Sequence, residues 1–172
     1  MLLSRTKIIT GKELNNGCFL LNAHMKDDEH ILDVQLVVST EGQVVSAYAT
    51  VGKAPYGKLC AQAIRKVERL VGLKVRHGSA REVTELVGGS TGCTHLVELV
   101  LEALRGFVPV MGLREARRLE QSLREAGVPE TEIRLKVMDM LWEMGKEVIP
   151  GSCLVYSQNE SPVSRLRKEE LL

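Results

Sequence analysis

A chain of 172 residues and 19.0 kDa can fill one hydrophobic core, or a core with a smaller helical appendage, but not two full-sized domains. With 23 Lys+Arg against 22 Asp+Glu and only 3% aromatic residues, there is neither a global field to gather nucleic acid nor a supply of rings to stack its bases, so nucleic-acid binding is disfavoured. Charges interrupt every apolar run before it could span a bilayer, and Met1 to Lys7 lacks the sustained apolar stretch of a secretory signal, so the expected protein touches no membrane and stays in the cytoplasm.

From Leu2 to Val51 the pattern is strand-like. Lys7–Thr10, Cys18–Ala23, Ile31–Ser39 and Val44–Val51 are the extended runs, and Asn15-Asn16-Gly17, Lys26-Asp27-Asp28-Glu29 and Thr40-Glu41-Gly42-Gln43 are polar links suited to antiparallel neighbours. Leu32, Val34, Leu36 and Val38 alternate with Asp33 and Gln35, which describes a sheet with one face on a core and one toward water.

After Pro55 the period lengthens to that of helices. Leu59, Ala63, Val67 and Leu70 form a first stripe ending at Gly72. Ser79-Ala80-Arg81-Glu82 reads as a capping box opening a short helix that stops at Gly88-Gly89. Leu96, Leu99, Val100, Ala103, Leu104 and Phe107 stripe a third helix that Cys93 opens. Leu113–Ala126 and Pro129–Lys146 are two further helices, and Cys153–Tyr156 is a last short extended piece. Strands first and helices afterwards predict an α+β fold: an antiparallel meander of three to four strands with helices on one face, plus a C-terminal helical pair. The expected division is a core domain over 1–108 and a helical extension over 109–172 whose extended segment packs on the same core.

Gly92-Cys93-Thr94-His95-Leu96 places a thiol and an imidazole where a glycine loop becomes a helix. Uncommitted backbone N–H groups there favour a thiolate, the form that ligates metals and attacks electrophiles. The plain alternative is a small buried thiol beside a solvated imidazole. Residues two apart on a regular helix point to different sides, so Cys93 and His95 can act together only if Cys93 precedes the helix proper. Cys60, Cys93, His95 and Cys153 are the set whose ligand types suit zinc or an iron-sulfur cluster, whereas Cys18 reads as structural. The loop Gly89-Ser90-Thr91-Gly92 with Thr94 could instead cradle a small anion, although its spacing matches no phosphate motif. His24, His30 and His77 read as solvated imidazoles, and Asp27-Asp28-Glu29 as a solubilising hairpin tip. Arg114 to Glu120 reads as a solvated helix face with i,i+4 pairing.

Pro55-Tyr56 followed by Cys60, Leu70-Val71-Gly72-Leu73, the Gly92–Leu96 block with Glu98-Leu99, and Ser152-Cys153 together resemble a bacterial family known as domain of unknown function 2889. The resemblance spans most of the chain and implies no activity, but it points to Cys60, Cys93, His95 and Cys153 as a set. A more distant likeness is to iron-sulfur scaffold proteins of the NifU and SufE type. These also place a meander before helices and a cysteine at the start of a late helix, but their Cys-Asp loop has only Asp27-Asp28 as its counterpart here. The leading expectation is therefore a Cys/His site that binds zinc or iron-sulfur, or carries sulfur. A small-molecule or anion-binding module without catalysis is the alternative. A structural domain that forms homo-oligomers through Leu119, Leu123 and Met140 is the third; no catalysed reaction can be named.

Overall fold

A computed structural model describes residues 2–76, 78–147, 150–151, 153–157 and 159–168. His77 and Ser152, named above, lie outside the described residues. Four strands run in chain order, β1 (Thr6–Glu13), β2 (Phe19–Lys26), β3 (Ile31–Val38) and β4 (Val44–Lys53), and each pairs antiparallel with the next. The helices α1 (Lys58–Ile64), α2 (Ser79–Val87), α3 (Thr94–Arg105), α4 (Phe107–Glu125), α5 (Glu130–Gly145) and α6 (Pro162–Lys168) follow, so the fold is α+β. Two compact units result, Met1–Val110 and Met111–Leu172.

In the first unit, alternation decides the faces. Phe19, Leu21, Ala23 and Met25 of β2 and Leu32, Val34, Leu36 and Val38 of β3 are buried. Their intervening neighbours Asn22, His24, Asp33 and Gln35 stand on the opposite face, as the period of two requires. α3 covers β1, β2 and β3 with Leu96, Leu99, Val100, Ala103 and Leu104, while α1 and the turn after it lie against β4. β1 extends past the expected Thr10 to Glu13 because its pairing with β2 runs to Glu13↔Phe19, a cross-strand constraint that no local pattern in Gly11-Lys12-Glu13 signals.

The expected first helix divides. After Ile64 the chain tightens into a 3-10 helix over Arg65–Leu70, where residues three apart share a face, and Ile64, Val67 and Leu70 are the ones buried. Leu59 does not join their stripe and is 68% exposed. The expected capping box is also absent. Gly78 occupies the cap position, and the Ser79 hydroxyl instead accepts the Arg76 N–H at 2.8 Å and approaches the Arg76 carbonyl at 2.7 Å, while Glu82 receives the Arg76 guanidinium. The helix expected from Leu113 begins six residues earlier, at Phe107, since Pro109 falls in a first turn that needs no N–H from it. Phe107 is buried edge-on against Phe19, with ring centroids 5.6 Å apart.

Gly88 and Gly92 let the end of α2 and the start of α3 meet. The Cys93 N–H donates to the Val87 carbonyl at 3.1 Å, and a Cβ on Gly92 would lie 2.2 Å from the Val87 oxygen and 2.3 Å from that of Gly88. The second unit is helical. Ile133, Val137 and Trp142 of α5 are buried, and α6 packs on α5 with Val163 buried. The segment expected to be extended at Cys153–Tyr156 is a 3-10 turn over Leu154–Tyr156, in which Tyr156 stacks on Trp142 at 6.0 Å.

Replacing Gly92 by Ala sets a carbon against two carbonyl oxygens that no rotamer change can move. It should cost about 1–3 kcal/mol of stability, the usual penalty for overpacking, and Leu99→Ala should cost about 3 kcal/mol by leaving a cavity. Urea titration followed by circular dichroism checks both, and an unchanged midpoint for Gly92→Ala would show that the two helix ends do not meet as described.

Candidate functional site

The β2–β3 turn, expected to be a solubilising tip, is organised around a buried carboxylate. Asp27 is 8% exposed. Its Oδ1 accepts the backbone N–H groups of Glu29 at 2.9 Å and His30 at 2.7 Å, and also His30 Nδ1 at 3.0 Å. Its Oδ2 accepts Arg5 Nε at 2.9 Å and Nη2 at 2.7 Å. Burial works against the charge, but the donors from Glu29, Arg5 and His30 outweigh it and hold the carboxyl far below the usual carboxylate range. An aspartate saturated by five donors is a structural anion, and its job here is to fix what donates to it.

Two groups are fixed in this way. His30, expected to be a solvated imidazole, is half-buried, with Nδ1 committed to Asp27 and no partner for Nε2 among the described residues. Arg5, just before β1, spans Asp27, Glu98 at 3.5 Å and His95 Nε2 at 3.3 Å. A guanidinium only donates, so His95 Nε2 accepts and the neutral ring carries its proton on Nδ1. The His30 and His95 rings meet with centroids 4.1 Å apart. Burial, then the neighbouring His30, then the Arg5 charge push the His95 imidazole below its ordinary value, against the opposing pull of Asp27 and Glu98. Glu98, one turn further along α3, is held below its ordinary value mainly by the Lys7 ammonium, which is hydrogen-bonded to it.

The expected site residues are arranged otherwise. Cys93 sits at the N-cap of α3 in extended conformation, ahead of the helix proper, and makes no side-chain cap. Cys60 lies half-buried on α1, and Cys153, exposed, belongs to the second unit. Among the described residues no group of three or more His, Cys, Asp or Glu side chains is placed to hold a metal ion. Gly89, Ser90 and Thr91 form a 3-10 turn, and Lys66 donates to the Thr91 hydroxyl. The N–H groups of Gly92 and Cys93 turn inward to Gly89 and Val87, and Thr94 is exposed at the first position of α3. His24, on the opposite sheet face, donates its Nδ1–H to Asp33 Oδ1 at 2.8 Å. Of the expected site residues, His95 stands in this cluster. Asp27, His30, Arg5, Glu98 and Lys7 were missed as members; a carboxylate placed three residues before a histidine in a tight turn was the available signal.

The chain belongs to the family described as Protein of unknown function (DUF2889), which matches residues 10–106. That span contains Asp27, His30, His95 and Glu98 and stops just short of α4. Comparison with curated proteins and with solved structures returned no match. No helix among the described residues is long and apolar enough to cross a membrane.

The two shifted groups set a pH dependence with a definite sign. His95 lies below its ordinary 6.5 when folded, so as the pH falls through that value the unfolded chain takes up the proton first and stability declines. Asp27 lies below its ordinary 3.8, so its contribution is present above that value and is lost as the pH falls beneath it. Unfolding midpoints measured from pH 8 to pH 3 should therefore decline in two steps. His95→Gln removes the first, and Asp27→Asn lowers the midpoint near neutrality while flattening the second. Two variants that keep the wild-type pH profile would contradict the cluster.

Proposed function

We propose that this protein is a binding module for a small ligand bearing an oxyanion group, a carboxylate, sulfate or phosphate, received beside the first turn of α3. The observation that carries this reading is that His95 meets both the His30 ring and the Arg5 guanidinium. The carboxylates nearby are already committed, Asp27 to Arg5 and His30, Glu98 to Lys7 and Arg5. What is left over is donors: one remaining Arg5 N–H, the His95 Nδ1–H, and the first-turn amides of α3, which have no side-chain cap. His30 Nε2, the acceptor of the neutral ring, stands beside them. A site whose carboxylates are committed and which still holds an arginine charge and helix-start N–H groups favours an anion.

A second reading has its own support. A carboxylate that takes His30 Nδ1 is also what orients an imidazole whose Nε2 binds a metal, so zinc at His30 and His95 is the rival occupant, in line with the likeness to iron-sulfur scaffolds. Arg5 against His95 weighs on the other side, since a cation would sit beside a guanidinium. Cys60 and Cys153 contribute to neither reading.

Calorimetric titration with sodium sulfate and with zinc chloride separates the two. The anion reading expects one sulfate per chain, weakened roughly tenfold or more in Arg5→Gln and in His95→Gln by loss of a charged or buried donor, and no stoichiometric zinc. One zinc per chain, lost in His30→Gln and in His95→Gln, would replace that reading with the metal one. Sulfate binding that neither Arg5→Gln nor His95→Gln alters would place any anion elsewhere.

A further inference from the structure

We infer that the outer edge of β4 is an interface at which two copies of this chain pair about a two-fold axis. β4 ends the sheet. Its beginning is covered, because Val44 exchanges backbone hydrogen bonds with Gly72 and Leu73, and Val75 donates to Gly42. From Val45 to Lys53 no backbone group on the outer side has a partner among the described residues. Sheet edges left open in this way are ordinarily guarded by charged residues or proline. The opposite edge follows that rule, with Lys7, Lys12 and Glu13 on β1. β4 carries no proline, and its one charge is Lys53 at its end, whose ammonium turns to the Asp28 carbonyl; the run from Val44 to Gly52 is uncharged. Antiparallel pairing of this uncharged run with its own copy sets the two Lys53 residues at opposite ends, so no like charges are opposed.

The surface beside this edge is self-complementary. A cleft of about 490 Å³ opens between β4 and the helical layer, floored by Ala49, Val51, Ile64 and Val67 and bordered by Arg65 and Glu68. Arg65 and Glu68 lie three apart in the 3-10 helix, both are exposed, and neither has an ionic partner among the described residues, including each other. In a two-fold interface a residue and its neighbour exchange contacts with the same two residues of the other copy. A two-fold axis placed so that the two 3-10 helices also meet sets the Arg65 of each copy against the Glu68 of the other, giving two opposite-charge contacts where each chain has an unmatched pair. This assigns a second copy of the same chain, not a peptide of unrelated charge, as the occupant.

Light scattering and sedimentation of the full chain test this. The expected wild-type mass at high concentration is twice the 19.0 kDa of one chain. Arg65→Glu and Glu68→Arg, each of which opposes like charges twice per dimer, should weaken association roughly tenfold or more, and the double exchange Arg65→Glu with Glu68→Arg should restore it. Hydrogen exchange supplies a check that needs no variant, since amides of Val45–Lys53 should exchange faster on dilution. A single-chain mass at every concentration overturns the proposal. So does a dimer indifferent to both charge reversals, or one whose β4 amides do not respond to dilution; these results place the contact elsewhere, for example on the α4–α5 region.

Discussion

The buried carboxylate of Asp27 is the constraint on which the site depends. It closes the β2–β3 turn by accepting two backbone N–H groups, holds His30 by its Nδ1, and draws Arg5 from the segment before β1 onto the same spot. None of these partners would be held in place by packing alone: Arg5 and His30 are long or half-exposed polar side chains with entropy to lose. A carboxylate away from water must be compensated, and here the compensation assembles three chain segments. α3 then brings His95 and Glu98 to the other side of Arg5, so the turn, the start of β1 and the start of α3 become one electrostatic unit.

How much of this was legible in the sequence follows from the range of the forces involved. The meander was readable because alternation in Ile31–Val38 and the short polar links are local properties. Helices α2, α3 and α5 were readable from stripes and glycine stops. The errors arose where tertiary context overrode local rules. The three-residue spacing of Ile64, Val67 and Leu70 fits a 3-10 helix once it lies on β4. The Ser79 hydroxyl satisfies the preceding turn rather than the helix end. Cys153–Tyr156 winds into a turn beside the stacked rings of Trp142 and Tyr156.

The site itself was half legible. His95 was singled out for its place at a helix start, and that place is what brings it to Arg5 and His30. Its expected companions were chosen by ligand chemistry, sulfur with imidazole, and chemistry alone carries no information on which segments meet. Asp27 was passed over because acidic residues at hairpin tips usually face water, a rule that fails when an arginine ninety residues from α3 and twenty-two from the turn bridges both. The glycines of the Gly88–Gly92 loop likewise suggested an anion cradle, whereas Gly88 and Gly92 are needed for the close crossing of α2 and α3.

His95 and His30 are held together by Arg5 and Asp27 rather than solvated separately, and nuclear magnetic resonance of the ring nitrogens reads this out. The account predicts cross-peaks between the ring protons of His30 and His95, with His95 protonated at Nδ1 and bare at Nε2, and His30 protonated at Nδ1. Two rings with no cross-peak, each exchanging freely between tautomers as imidazoles in water do, would contradict it.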